Sequence, residues 1–446
     1  QSLKYSKIAV DIVNFTCNLT TVSEESLKSR YLAEFLPPDS SRRLGVVTGA
    51  RQTGKTTLVK ATYPDLHYIS LDAPENRDSL RQIASATWAA TVGNAVIDEA
   101  QKEPTVFEKV KYAFDEGRIS FTVLTGSSQI LLLKKIRESL AGRAYFFELW
   151  PLMPAEIAAA PTAETLAPPM LDHLISDGSV GAFLSDVTPV LMAESAHFGS
   201  EAEKHLLTWG GMPALLPLPE KERFTWLKNY TYTYLERDLM DLARLEDLQP
   251  FRKFQRLAAL RSATLLNYSE LARDAGISAD TARRYLEYLL ISYQTYLLQP
   301  FSENLTSSTV KTPKLYWSDI GIWRQLTGFR GEMTGQLFET MVVGEIVKWI
   351  RTRQVDAELT FYRTRSGMEV DLLIQTGEDL IGVEIKSRER TAGKDIGSLQ
   401  ALAEKLGRRW RGGMVVYRGR TISRIAEPDI WAVPSWRLFQ PAAPSR

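Results

Sequence analysis

The stretch RLGVVTGARQTGKTTLVKA, residues 43–61, constrains this chain more than any other. A β-branched run enters it, the loop GARQTGKT satisfies GxxxxGK[ST], and TTLVKA leaves with helical spacing. Glycines in such a loop let backbone N–H groups curl around phosphate oxygens, and the helix that follows turns its positive N-terminus toward them. A strand that feeds a helix in this way belongs in a parallel sheet covered by helices. Residues 43–150 carry five candidate strands for it: RLGVVTG, HYISLD, NAVIDEA, ISFTVLTG and AYFFEL. Gly49, Ala50, Arg51, Gln52, Thr53, Gly54, Lys55, Thr56 and Thr57 are therefore read as the cradle for the phosphates of ATP. Lys55 is expected to reach the β- and γ-phosphates, and Thr56 to offer its hydroxyl to Mg²⁺.

A second apolar strand, in NAVIDEAQ, ends in Asp98 and Glu99. Hydrolysis needs one carboxylate in the Mg²⁺ shell and another to polarise a water, so Asp98 is read as metal ligand and Glu99 as general base. The strand in FTVLTGSS ends in Ser127 and Ser128, which would sense the γ-phosphate. Arg143, in SLAGRA, is a candidate arginine finger acting in cis or from a neighbouring subunit.

These residues give the chain a resemblance to a family: AAA-superfamily P-loop ATPases of the prokaryotic branch related to origin-recognition and signal-transducing ATPases. GARQTGKTTL, AVIDEAQ, LTGSS, SLAGRA, WGGMP at 209–213 and YLERDL at 234–239 carry it, in the family's order. With the late segment described below, it covers about residues 43–440. It implies an ATPase core, a winged helix and a nuclease-like terminal domain whose function has long been unassigned. The first 40 residues lie outside it; their one helical signal, residues 23–35, starts at SEE and stops at Pro37 and Pro38.

Two later segments carry chemistry. NYSELARDAGISADTARRYLEYLL, residues 267–290, has the pattern of two helices joined at Gly276, the second begun by Ser278. Leu271, Ala272, Ala275, Ile277, Ala282, Tyr285, Leu286, Leu289 and Leu290 share an apolar face, and Arg283 and Arg284 stand at its outer edge. TYLLQP and KLYWSD would pair as a wing, and such a unit can enter a DNA major groove. Further on, GQLFETMVVGEIVKWI is a helix bearing Glu339, EVDLLI a strand bearing Asp371, and LIGVEIKSRER a strand bearing Glu384 and Lys386 on one face. Carboxylates from Glu339, Asp371 and Glu384 would clamp Mg²⁺ or Mn²⁺ against a scissile phosphate while Lys386 orients the attacking water. The segment resembles PD-(D/E)XK nucleases, with Val370 in place of the motif's proline. Seven basic residues and no acidic one lie at 405–424, interleaved with Trp410 and Tyr417, a pattern suited to phosphates and stacked bases.

Composition narrows the choice. Across 446 residues, 54 Lys and Arg balance 53 Asp and Glu, so any contact with nucleic acid must come from a local patch. One cysteine, Cys17, and four scattered histidines exclude a disulfide framework and a zinc module of known spacing. Residues 119–133 are apolar but broken by TGSS, too short for a membrane span, and a cytoplasmic protein is expected. The fold expected is α/β and multidomain. An unassigned segment at 1–40 precedes a P-loop AAA-type parallel-sheet ATPase at 41–155. A helical connector at 156–266, with an Ala/Pro-rich surface insert or linker at 155–169, leads to a winged helix at 267–320. An α/β nuclease-like domain at 330–446 closes the chain. The function expected is ATP hydrolysis with Mg²⁺, coupled to DNA binding and cleavage. The alternatives are a nucleotide-dependent switch whose terminal domain only binds DNA or a protein partner, and a signalling ATPase with no nucleic-acid role. An arginine finger in trans would require a homo-oligomer.

Overall fold

In the computed structural model the described residues are 28–127, 140, 142–160, 165–176, 178–235, 248–302 and 311–442. All five expected strands form: β1 (Arg43–Gly49), β2 (His67–Ser70), β3 (Ala95–Asp98), β4 (Phe121–Ser127) and β5 (Ala144–Glu148). They make a parallel sheet in the order β2-β3-β4-β1-β5. β1 lies between β4 and β5 and is buried from Leu44 onward, as a fully covered parallel strand should be. Helices α1 (Lys55–Thr62) and α2 (Thr105–Asp115) belong to separate apolar clusters. Leu58 and Val59 of α1 meet Val47 and Phe121, while Val106, Phe107 and Val110 of α2 meet Leu44 and Leu124.

A helical region follows, containing α3 (Ala193–Trp209) and α4 (Gln249–Leu260). Next come the short β6 (Thr264–Leu265), α5 (Tyr268–Ala275), α6 (Ala279–Ile291), β7 (Thr295–Pro300) and β8 (Lys314–Trp317). Asn267 and Ser278 accept from the backbone N–H of Glu270 and Thr281, both at 3.1 Å, so each helix begins at its expected cap. Seven residues of the expected apolar face are buried, and Ile277 and Leu290 pack against the same cluster from its edge. Arg283 and Arg284 are exposed. β7 and β8 pair antiparallel, with β6 on the far side of β8.

The last part runs α7 (Ile320–Thr327), α8 (Gly335–Arg353), β9 (Glu358–Arg363), β10 (Glu369–Thr376), β11 (Asp379–Lys386), α9 (Gly397–Leu406), β12 (Trp410–Tyr417), β13 (Ser423–Ala426) and β14 (Ile430–Pro434). β7 pairs parallel with β9, so the middle hairpin and the terminal strands are one nine-stranded sheet, β13-β14-β12-β11-β10-β9-β7-β8-β6. Helix α8 is buried on nearly every side, which marks a central rather than a surface helix. It packs on β11, on β8 and on β5 of the first sheet.

Three expectations are corrected. Of the helix expected at 23–35, only a short 3₁₀ segment, Tyr31–Phe35, lies among the described residues. The Ala/Pro-rich stretch is not simply a surface insert: Ala155, Glu156 and Leu166 are buried. Nor is the 405–424 segment an open basic strip. Arg411 donates to the Gly178 and Ile175 carbonyls, Arg409 to Glu378 O, and Arg424 pairs with Glu427. Trp410 lies over Gly382 and Gly413, where a Cβ would collide with its ring, so it is not a free stacking platform.

Candidate functional site

The loop after β1 is shaped by backbone that only glycine tolerates well. Gly49 has φ 149°, and a Cβ there would overlap the Leu149 carbonyl oxygen. Gly54 has φ 94° and caps α1. Lys55 is buried, its Nζ donating to Gly49 O at 3.0 Å and Ala50 O at 2.9 Å; Thr53 Oγ1 also donates to Ala50 O at 2.9 Å. Gln52, at φ 60°, and Thr57 are exposed, and Arg51 is half-buried.

Residues without any local signal hold the loop from outside. Arg30 Nη1 donates to Thr53 O at 2.7 Å and Nη2 to Trp150 O at 2.5 Å, while its Nε lies 3.2 Å from Glu156 Oε2. Tyr230 donates its hydroxyl to Arg51 O at 3.1 Å. Tyr293, following α6, shares a 2.9 Å hydrogen bond with Thr48 Oγ1 at the end of β1.

Asp98, only 3% exposed, is the electrostatic centre of the site. Its Oδ2 accepts from Thr56 Oγ1 at 2.7 Å and Tyr68 OH at 2.6 Å; its Oδ1 accepts from Thr125 Oγ1. Burial, and then the bond to Asp98, push the Tyr68 hydroxyl well above its ordinary pKa, so it remains a donor. Thr56 and Asp98 thus present adjacent oxygens beside the loop, a hard-oxygen pair of the kind Mg²⁺ takes. Glu99 sits in left-handed backbone at φ 55°, and its Oε2 accepts from Gln101 Nε2.

Ser127 lies in register with Gly49 across β4 and β1. Ser128 lies outside the described residues. Arg143 is placed where a role in cis is closed to it. It precedes Ala144, which pairs with Leu44, and so stands a strand length, about 15–20 Å, from the loop of its own chain. Its Nε meets Asp115 Oδ1 at 2.6 Å.

A second polar constellation lies in the large sheet. The antiparallel register of β10 and β11, Leu372 against Val383, sets Asp371 opposite Glu384. Asp371 Oδ2 accepts from Ile385 N at 2.8 Å and lies 3.7 Å from Lys386 Nζ, which in turn meets Glu384 Oε1 at 2.5 Å. Val383 and Ile385 are buried behind, as alternation requires. Glu384 Oε2 is buried with no hydrogen-bond partner among the described residues. Burial, then the Asp371 charge, push Glu384 up to about 8. Burial opposes the charge on Lys386, but Asp371 and Glu384 carry its pKa upward.

Glu339 is engaged elsewhere. Its Oε1 accepts from Lys314 Nζ at 3.0 Å and Tyr316 OH at 2.7 Å, and Lys314 also meets Glu369 at 2.5 Å. Burial and the Asp371 charge push Glu339 up to about 7. Among the described residues no group of three or more His, Cys, Asp or Glu is arranged to hold a metal ion, so Glu339 does not complete a three-carboxylate cluster. The pair Asp371 and Glu384 remains, and the orphaned Oε2 of Glu384 fits a cation held by two carboxylates.

Comparison with known family models matches three stretches of the chain, and the second of them runs across the boundary expected between helical connector and winged helix. Residues 41–158 match the model of an AAA domain, residues 200–332 a domain of unknown function (DUF8612), and residues 334–438 another domain of unknown function (DUF4143). The chain is 27% identical over 353 residues to the uncharacterized protein Rv2008c of Mycobacterium tuberculosis, covering 76% of this chain and 69% of that protein. It is 25% identical over 350 residues to the uncharacterized protein MJ1544 of Methanocaldococcus jannaschii, covering 74% and 72%. Among solved structures it is similar to the Walker-type ATPase paby2304 of Pyrococcus abyssi, at 14% identity and a TM-score of 0.42, over 69% of this chain and 99% of that one. The AAA match covers all five strands of the first sheet, and the DUF4143 match covers α8 and the strands bearing Asp371, Glu384 and Lys386. Among the described residues no helix is long and apolar enough to cross a membrane.

Proposed function

We propose that this chain binds and hydrolyses ATP with Mg²⁺, and that its nucleotide cycle is coupled to a DNA-binding, DNA-cleaving C-terminal domain. The observation that carries the ATPase reading is the 2.7 Å contact of Thr56 with Asp98 at the foot of a glycine loop entered by β1 and left by α1. The loop N–H groups and Lys55 bind the β- and γ-phosphates of ATP, and Tyr68 and Thr125 fix Asp98. Mg²⁺, when held by Thr56 and Asp98, supplies Lewis-acid charge at the phosphate oxygens. Glu99, oriented by Gln101, takes the proton of the attacking water at its carboxylate. Ser127, the last residue of β4, and Ser128 sense the γ-phosphate. Arg143 acts on the site of a neighbouring copy, which makes a homo-oligomer part of the proposal.

The unit α5, α6, β7 and β8 is read as a winged helix, with α6 as the helix that meets DNA. In the nuclease-like domain, Asp371 and Glu384 would hold Mg²⁺ or Mn²⁺, which would supply Lewis-acid charge at a phosphodiester, and Lys386 would orient the attacking water. The capture of Glu339 by Lys314 and Tyr316 favours a second reading, a nucleotide-dependent switch whose terminal domain binds without cutting.

One set of assays separates them. Lys55→Ala is expected to abolish ATP turnover, and an unchanged rate would sink the phosphate-loop assignment. Linear, circular and branched DNA are then incubated with the protein and either metal, with and without ATP. Cleavage lost in Asp371→Ala decides for the nuclease; binding without cleavage in every condition decides for the switch.

A further inference from the structure

A cleft of about 1090 Å³ opens between α3 and the segments that follow β11 and β12. Arg390 follows β11, and Arg418 and Arg420 follow β12; all three are exposed in it, and none has an acidic partner within 4 Å among the described residues. The loop carrying Arg418 and Arg420 is pinned from both sides. Tyr417 OH donates to Thr421 O at 2.7 Å, and Trp436 Nε1 donates to Gly419 O at 3.1 Å. Three unpaired guanidinium groups on a fixed frame suit a row of phosphates, which they bind through planar, forked donors.

The remaining lining is mixed, with Lys204, Arg324 and Glu389 in it besides the other carboxylates. Glu201 of α3 and Glu332 are exposed across the cleft, and Glu203 is buried in its lining with Oε2 unpartnered among the described residues. Carboxylate oxygens accept from the exocyclic amino groups of bases. A cleft with five cations, Lys204 and Arg324 besides the three arginines, interleaved with carboxylates suits a ligand that offers both phosphates and N–H donors. Its volume lies just above the roughly 300–1,000 Å³ of small-ligand pockets, room for a few nucleotides of one strand. The parallel register pairs Lys386 with Tyr417, and Tyr417 lines the cleft, so the cleft begins beside the Asp371, Glu384 and Lys386 row.

We infer that this cleft is the track for a single strand of nucleic acid, with phosphates on Arg390, Arg418 and Arg420 and base edges toward the glutamates. It rests on the reading of the terminal domain as nucleic-acid-directed, and it adds that the substrate is a strand end or a displaced single strand rather than an intact duplex.

The test uses the full chain and fluorescence anisotropy with a labelled mixed-sequence DNA single strand of about 12 nucleotides, a usual span for one single-strand site. Binding is measured in EDTA, where cleavage cannot occur, against a blunt duplex of the same length. Three phosphate contacts predict a log–log salt slope near −2, at about −0.7 per phosphate for single strands. The triple variant Arg390→Ala, Arg418→Ala, Arg420→Ala, with an unchanged thermal melt, is expected to lose at least about tenfold in affinity and most of that slope. The triple lysine variant retains the slope. Equal binding of the duplex, unaltered affinity in the alanine variant or failure of the wild type to bind would each overturn the inference. Strand binding in EDTA with no cleavage in either metal would support the track while refuting the nuclease reading.

Discussion

At the scale of single residues, the two polar centres differ in how they settle charge. Asp98 is surrounded by three hydroxyl donors, so its carboxylate is satisfied without a cation from the protein. Glu384 and Glu339 instead share their surroundings with Asp371 and keep protons that a free glutamate would release, with pKa values pushed up to about 8 and about 7. The sign of the pH dependence follows. A glutamate in the unfolded chain releases its proton near pH 4.5, so between that value and about 8 the folded protein binds more protons than the unfolded one. Stability contributed by these groups is present at low pH and lost as pH rises through the folded values. Glu384→Gln removes one of them, and its melting temperature is expected to fall less than the wild type's between about pH 5 and pH 8. Each kcal/mol relieved is worth on the order of 1 °C in a chain of this length. Parallel melting curves across that range check this, and identical pH slopes would show that Glu384 titrates as an ordinary surface acid.

Among the elements, the segment ahead of β1 does more than its sequence announces. Arg30 bonds to backbone carbonyls at Thr53 and Trp150 and to the buried Glu156, which itself accepts from the N–H groups of Tyr31 and Met153. Partners that are distant carbonyls leave no spacing pattern, so nothing around Arg30 marks it, whereas the phosphate loop is legible because its chemistry lies in eight consecutive residues. The same contrast separates the caps of α5 and α6, readable from Asn267 and Ser278, from the clasp of Tyr230 and Tyr293 on the loop and β1. Arg30→Ala leaves Glu156 buried without its cation, a loss of about 3–5 kcal/mol for a broken buried pair. It also frees the Thr53 carbonyl, so KM for ATP is expected to rise. Urea unfolding and ATP titration measure the two effects. Adding Glu156→Gln should restore part of the stability but not the KM, because the loop anchor stays missing. If neither quantity moves, Arg30 is a bystander.

On the scale of the whole molecule, the sequence divides the chain near residues 320 and 330, while the sheet does not. Local periodicity finds strands and helices, but it carries no information on which strand becomes the neighbour of which, and here β7 joins β9 across more than fifty residues. One apolar cluster accordingly runs from Tyr31 through α4, α6 and α8 to Phe439, while the first sheet keeps two clusters of its own. The charge pattern at 405–424 is legible as composition, yet Arg409 and Arg411 are spent on backbone carbonyls, a fate set by tertiary contacts with residues such as Ile175 and Gly178. Continuity of the sheet yields a test of the division. A fragment starting at residue 330 keeps β9 but loses β7 and β8, exposing an unpaired strand edge and the side of α8 that packs on β8. It is expected to aggregate, or to keep far-UV dichroism while losing near-UV signal and a cooperative melt. Restarting the fragment at residue 248 restores β6, β7, β8 and α4 and should recover the sharp transition. A cooperative melt from the shorter fragment would mean that the terminal strands form a core of their own and that the nucleotide cycle must reach them through surface contacts rather than through a shared sheet.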